Sequence, residues 1–157
     1  MGTISRIIED VPVTPEIDAI FNKIKTALKA PFTPHFFRVW AASPESLKGI
    51  WPVMNHILTC GRVGRRLKEM IFVAISSLKS CHYCEAAHHA FCLNIGVSPA
   101  QIKSLIEYHT IEEADGAQDK AAIDFAVRLA KDSHASTEQD IQTLKGHGFD
   151  EEGIMEI

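Results

Sequence analysis

The sequence contains no long hydrophobic run and little of the patterning that produces β-sheets. Its longest strongly apolar stretch, Met70 to Ile75, is far shorter than the roughly 20 residues that a membrane-spanning helix needs. No segment alternates β-branched with polar residues, and no internal repeat is visible. These absences exclude a repeat array and favour a soluble, all-α protein without a membrane partner.

Basic residues are also too few to form a charged surface for nucleic acid. The chain holds 16 Lys and Arg against 20 Asp and Glu, for a net charge of -4, and no local cluster reverses this balance. Nucleic acid is therefore not expected as a partner. The N-terminal segment carries Arg6, Glu9 and Asp10 where a signal peptide would be hydrophobic, so we expect no export signal and a cytoplasmic location.

Only four cysteines occur in 157 residues, which is not the pattern of a disulfide-stapled secreted scaffold. Two of them form the motif Cys81-x-x-Cys84, which in a reducing compartment indicates redox chemistry or metal binding. Cys92 would lie about 16 Å along a helix from Cys81, too far to join that pair. We predict that Cys92 and Cys60 are buried packing residues.

The length and the 46% hydrophobic content fit one globular domain, residues 1–157. The segment 31–42 is rich in aromatic residues that we expect in the core: Phe32, Phe36, Phe37 and Trp40. Capping patterns predict helix starts at Thr14-Pro15, Ser43-Pro44, Ser98 with Gln101, Thr137 with Asp140, and Asp150. A further amphipathic segment runs from Gly116 to Lys131.

Two further predictions concern a kink within one helix and the length of the last one. The helix after Pro44 should run toward Cys60 with a kink at Pro52. The helix opened by Asp150 reaches Ile157 after fewer than about two turns, which is short for an independent helix. We therefore expect the C-terminal helix to be truncated in this sequence.

The redox motif lies between two predicted helices. The segment from Arg65 to Ser80 is apolar on several faces and should form a buried helix, and the next helix should begin near Ser80 to His82 and end at Gly96. On that second helix, Cys81, Cys84 and His88 fall within a wedge of roughly 60°, so their side chains can meet. An i, i+3 cysteine pair has Cα atoms roughly 5 to 6 Å apart, which permits a disulfide.

The first turn of a helix favours thiolates because its N–H groups are unpaired and the positive end of the helix dipole is close. His88, one turn beyond Cys84, is placed to accept its proton, whereas His89 points about 100° away and is expected to be a surface or packing residue. Glu69 begins the preceding apolar helix. A carboxylate desolvated there suits proton transfer, but an acidic residue in a first turn also commonly just complements the dipole. Spacing leaves both interpretations open.

The residues Glu69, Cys81, Cys84 and His88 reproduce the pattern E-x11-C-x2-C-x3-H. This pattern resembles the signature of the AhpD-like alkylhydroperoxidases within the carboxymuconolactone decarboxylase superfamily. The flanking RLKE, SCHYC and Gly96 to Ser98 match too, and PFTPHFFRVWAASPESLKG is similar to the N-F-F-R-x-x-A-x-S-P-E pattern of the peroxidase-related branch. The resemblance extends over nearly the whole chain, with its core at about 65–98.

The resemblance implies an AhpD-like helical bundle that acts as a thiol-dependent hydroperoxide reductase. In this scheme Cys84 attacks the peroxide and becomes a sulfenic acid, and Cys81 resolves it to a disulfide. His88, Glu69 and a bound water would form the proton relay. No cofactor or metal is implied. The expected partners are a peroxide, a dithiol or a thioredoxin- or lipoyl-type protein reductant, and further copies of the chain in a trimer or hexamer.

One position departs from the best-known members, which often have histidine before the second cysteine. Tyr83 stands there, and because a phenol keeps its proton at neutral pH, it either alters the relay or only donates a hydrogen bond. Three other functions compete with peroxide reduction: a decarboxylase, a zinc site built on Cys81, Cys84 and His88, and a disulfide reductase or redox-sensing module without peroxidase turnover.

Overall fold

The computed structural model describes residues 12–157, and within that range it is built from helices without any strand. Nine α-helices are described in this range: α1 Pro15–Leu28, α2 His35–Trp40, α3 Pro44–Thr59, α4 Arg65–Leu78, α5 His82–Asn94, α6 Pro99–Glu107, α7 Ala117–Lys131, α8 Glu138–Gly146 and α9 Glu151–Glu156. A short 3-10 turn, Glu113–Asp115, precedes α7. The prediction of an all-α fold is confirmed.

The helix starts that the capping patterns predict are confirmed, four of them with a side-chain capping hydrogen bond and the one at Ser43-Pro44 without. The Thr14 hydroxyl accepts from the Ile17 N–H at 3.3 Å, and Asp150 accepts from the Gly153 N–H at 2.8 Å. Complete capping boxes form at Ser98 with Gln101 and at Thr137 with Asp140. These contacts satisfy N–H groups that have no partner inside the helix, so each fixes where its helix begins.

The chain divides into two compact units, and the boundary between them in the sequence falls between Cys60 and Gly61. In the first unit α1 packs on α3, and α2 also contacts α3. The Phe37 ring stands edge-on to Trp51 with a centroid distance of 5.4 Å. The buried apolar residues of this unit are Ile17, Phe21, Ile24, Leu28, Phe37, Ala41, Leu47, Trp51 and Leu58. The single-domain organisation expected from the length stays a prediction.

The expectation that all four aromatic residues of segment 31–42 are buried is wrong. Only Phe37 is buried, whereas Phe32 is 63% exposed, Phe36 39% and Trp40 37%. Helix α2 has six residues and turns a single face inward, on which Phe37 and Ala41 are one turn apart. A helix this short has no second buried face for Phe36 and Trp40, and Phe32 lies in the segment before the helix.

The second unit is organised around α4, which packs against α5, α6 and α7. Helix α4 is buried on several sides, as its apolar pattern predicts. The core of this unit contains Val63, Leu67, Met70, Ile71, Val73, Ala74, Cys92, Val97, Ile102, Leu105, Ile111, Ala122, Ile123, Ala126 and Val127. Two charged side chains of α4 are buried as well, Lys68 and Glu69. Each of them has an oppositely charged or titratable partner.

Lys68 is paired with Glu156 of the last helix, α9. Its Nζ lies 3.0 Å from the Glu156 carboxylate, which also accepts the N–H groups of Arg62 at 2.8 Å and Val63 at 2.9 Å. Gly61 has φ +96°, and a Cβ at that position would overlap the same carboxylate. Helix α9 is therefore anchored by tertiary contacts rather than standing alone. The expected truncation after Ile157 stays a prediction.

The described part of the chain has no helix that combines the length and apolar character needed to cross a membrane. Pro52 lies inside α3, which continues to Thr59. The two cysteines outside the motif differ: Cys92 is fully buried, as predicted, but Cys60 is exposed. The prediction for Cys60 is wrong because this residue caps the end of α3 in extended conformation and leads into the surface loop at Gly61.

Candidate active site

The candidate site lies where α4 passes into α5. Helix α4 ends at Leu78, and residues 79–81 connect it to α5 with Ser80 in the left-handed region at φ +54°. The Cys81 N–H donates to the Ser76 carbonyl at 2.9 Å, which ties the connection back onto α4. This short link packs the two helices side by side, so side chains from both reach the same site.

Cys81 and Cys84 form a disulfide, with their Cα atoms 5.4 Å apart. Cys81 is the N-cap of α5, and Cys84 lies in its first turn. The separation agrees with the sequence expectation for a helical i, i+3 pair. Both residues are partly exposed.

Glu69 and His88 meet across the two helices. The His88 Nδ1 lies 2.7 Å from the Glu69 Oε2, and the exposed fractions of the two side chains are 17% and 1%. An ionised carboxylate can only accept, so whenever Glu69 is ionised Nδ1 carries the hydrogen and Nε2 is the nitrogen left for another partner. His88 lies one helical turn after Cys84 on α5. The structure thus brings together the acidic and imidazole residues singled out in the sequence.

Three residues at this site were missed by the sequence reasoning. The Arg65 Nε lies 3.3 Å from the Glu69 Oε1, and the Phe72 ring stacks on His88 at 4.4 Å with an interplanar angle of 9°. The Phe91 ring lies 6.2 Å from the His88 ring. Each is three or four residues from Glu69 or His88 along its own helix, which is the signal that identifies neighbours on one helical face.

Cys92 lies on α5 but takes no part in the disulfide. Burial, followed by the negative charge of Glu69, raises the pKa of its thiol to about 12, against a smaller opposing effect of Arg66. A thiol that keeps its proton is a poor nucleophile. The structure therefore separates the Cys81–Cys84 pair from this buried cysteine, as the spacing predicts.

Three other polar residues of α5 differ in their exposure. Tyr83 is 44% exposed, in the first turn of the helix beside Cys84. His82 is exposed and His89 is partly buried. Among residues 12–157, no group of three or more His, Cys, Asp or Glu residues is arranged to hold a metal ion.

Comparison with known proteins places this arrangement in a family. The model of the carboxymuconolactone decarboxylase family matches residues 44–132, which include α4, α5 and all four signature residues. The chain belongs to this family. A search of curated proteins found no match.

Two solved structures show that this member of the family has the AhpD-like fold. A peroxidase-related protein from Silicibacter sp. TM1040 superposes with a TM-score of 0.77 at 24% identity, covering 94% of this chain and 78% of its own. A peroxidase-related protein from Ralstonia eutropha JMP134, described as an alkylhydroperoxidase AhpD core, gives a TM-score of 0.76 at 27% identity, covering 92% and 78%. The first likeness is evidence for the fold alone.

Proposed function

We propose that this protein is a thiol-dependent hydroperoxide reductase. The observation that supports it most strongly is the juxtaposition of a Cys81–Cys84 disulfide with a His88 imidazole whose Nδ1 is held by buried Glu69. A redox-active dithiol supplies two electrons, and an oriented imidazole supplies a base one turn away from the second cysteine. The likeness to an AhpD-core protein supports the same activity.

The proposed reaction starts from the reduced pair. The Cys84 thiolate attacks a peroxide oxygen, the O–O bond breaks, and the leaving alkoxide takes a proton to become an alcohol or, from hydrogen peroxide, water. Cys84 is now a sulfenic acid. The Cys81 thiolate attacks the Cys84 sulfur, the disulfide forms, and hydroxide leaves and is protonated to water. A dithiol or a thioredoxin- or lipoyl-type protein then returns two electrons and two protons.

The proposed role of His88 is to move protons at its Nε2. This nitrogen accepts the thiol proton from Cys84, and Glu69 stabilises the imidazolium that forms, because a carboxylate favours a neighbouring positive charge. Glu69 also holds the ring in one orientation through Nδ1. The stacked Phe72 ring limits the rotation of the imidazole from its other side.

The test is peroxide consumption with a dithiol reductant, comparing the wild type with Cys84→Ser and Cys81→Ser. We expect Cys84→Ser to be inactive and Cys81→Ser to stop at the sulfenic acid, which a dimedone-type probe detects by mass. Cys92→Ser is the matched control and should keep activity. Full activity in Cys84→Ser would overturn the assignment of the attacking cysteine.

The same assay separates the competing functions. Neither a disulfide reductase, which exchanges electrons with a disulfide substrate, nor a decarboxylase turns over peroxide in this assay. Stoichiometric zinc by mass spectrometry, without loss of thiols on exposure to peroxide, would favour a metal site. Native mass spectrometry tests the proposed trimer or hexamer.

A further inference from the structure

Arg65 is the residue of the site to which neither the sequence pattern nor the reaction scheme gives a role. It lies one turn before Glu69 on α4 with its side chain 18% exposed. Its Nε reaches the Glu69 Oε1 at 3.3 Å, while the other oxygen receives His88 at 2.7 Å. Each carboxylate oxygen therefore has its own donor. This arrangement suits an ionised carboxylate, since a carboxylic acid would use one oxygen to donate.

The same guanidinium also contacts an aromatic ring of the site. It lies over the Phe91 ring, 5.4 Å from its centroid, and that ring packs against His88. Four side chains of α4 and α5 thus contact one another in sequence, each touching the next and the last touching the first: Arg65, Glu69, His88 and Phe91. A cation over an aromatic face is attracted by the ring, so Arg65 is held by two independent contacts.

We propose that Arg65 is a positioning residue that sets the pH at which the Glu69–His88 pair binds its proton. When the pair is ready to accept a proton, Glu69 is ionised and His88 is neutral. Protonation of Nε2 adds a positive charge to a ring that shares the Glu69 carboxylate with the guanidinium, and the positive charge of Arg65 opposes it. Arg65 therefore keeps His88 available as a base at lower pH than the pair alone would allow. The catalytic meaning of this inference rests on the proposed function.

The other charged groups around this pair have their own partners. Arg66, also on α4, binds Asp119 of α7 at 2.6 Å and Gln101 of α6 at 3.2 Å. Lys68 is paired with Glu156 of α9. The Cys92 thiol of α5, which feels the charge of Glu69, is neutral near pH 7 because its pKa is about 12. The Arg65 guanidinium contacts Glu69 directly.

The test compares Arg65→Gln with Arg65→Lys and with the control Arg128→Gln. Arg128 also pairs with a carboxylate, that of Asp140, and also lies over a ring, that of Phe125 at 5.9 Å. The primary readout is the NMR titration of the His88 imidazole in the oxidised protein, assigned by its loss in His88→Asn. This measurement does not require turnover.

We expect Arg65→Gln to raise the titration midpoint of His88 relative to the wild type, because removal of a cation that shares Glu69 with the imidazole favours protonation. Arg65→Lys keeps the charge and should restore the midpoint, and Arg128→Gln should leave it unchanged. In the peroxide assay, the acidic limb of the kcat/KM profile should move upward with the NMR midpoint. If Arg65→Gln fails to fold, Arg65→Met, which keeps the aliphatic stem, takes its place.

An unchanged His88 midpoint in the charge-removing variant would overturn the inference, as would an equal shift in Arg128→Gln. The proposed function and the proposed role of Arg65 can be contradicted independently of each other. Absence of peroxide turnover in the wild type contradicts the proposed function, while the NMR titration still decides whether Arg65 controls the proton on His88.

Discussion

Two carboxylates contact helix α4, one fully and one largely buried, and they are bound in different ways. Glu69 is 1% exposed and is held by two side chains, Arg65 and His88. Glu156 is 13% exposed and is held by two backbone N–H groups of the loop before α4 and by the Lys68 ammonium. Each carboxylate is paired with a cation of α4, Arg65 or Lys68, and these two residues are three positions apart. The difference lies in the remaining partners.

That difference separates a structural carboxylate from one suited to chemistry. Although burial alone would raise it, the backbone N–H groups of Val63 and Arg62 and the Lys68 ammonium hold the pKa of Glu156 at about 2. None of these donors loses its proton near neutral pH. Glu69 instead faces an imidazole, the side chain whose charge changes most readily in that range. Burial is common to both, so the titratable partner is the informative feature.

The largest effect is expected from Glu69→Gln. The amide keeps the shape of the side chain but no longer stabilises an imidazolium, so kcat/KM for peroxide reduction should fall by about 100-fold or more. Steady-state turnover with a dithiol reductant measures this loss. Glu156→Gln is the matched control and should retain activity within a few-fold once its folding is verified by circular dichroism. Equal losses in the two variants would contradict the distinction.

When the free energy of unfolding is measured instead of turnover, Glu156→Gln should have a larger effect than Glu69→Gln. Glu156→Gln leaves Lys68 buried without its counter-ion, which we expect to lower the free energy of unfolding by about 3 kcal/mol. Denaturant unfolding measures this change. Replacing both partners, with Lys68→Met added, should recover part of the loss because no uncompensated charge remains. A double variant less stable than Glu156→Gln alone would show that the pair is not the source of the effect.

A smaller effect is expected in the pH dependence of stability, and its direction follows from the lowered pKa of Glu156. The folded pKa of Glu156, about 2, lies below its ordinary value of 4.5. Its stabilisation is therefore fully present above about pH 4.5 and is lost as the pH falls through the folded value. The stability gap between wild type and Glu156→Gln should narrow from pH 5 toward pH 3. Glu151→Gln, at an exposed carboxylate, should show no such gap.

The fold could be predicted from local patterns because helix caps are local. Each capping side chain accepts from an N–H three residues ahead, so the signal lies within four consecutive residues; this holds for Thr14, Ser98, Thr137 and Asp150. The contact of Glu69 with His88 required the spacing of the whole signature. Their nineteen-residue separation becomes a 2.7 Å contact only when α4 and α5 pack together.

Other features depend on tertiary packing, which a linear pattern does not contain. The exposure of Phe36 and Trp40 follows from the short length of α2, and that of Cys60 from a helix end at the surface. Glu156 contacts Arg62 across 94 positions of sequence. Arg65 had a local signal, its spacing of four from Glu69, but nothing in the sequence indicated which of several basic residues turns toward the carboxylate.

The smallest effect is expected at Cys92, which is also buried near Glu69 but has no titratable partner. Because burial keeps its pKa at about 12, the oxidised native protein should react with one equivalent of Ellman's reagent, at exposed Cys60, and with two in denaturant. Cys92→Ala should remove the second equivalent, cost about 1 kcal/mol of stability and leave peroxide turnover within twofold. Loss of turnover in this variant would mean that the Cys81–Cys84 pair does not complete the redox cycle by itself, and burial near Glu69 would then be functional rather than structural.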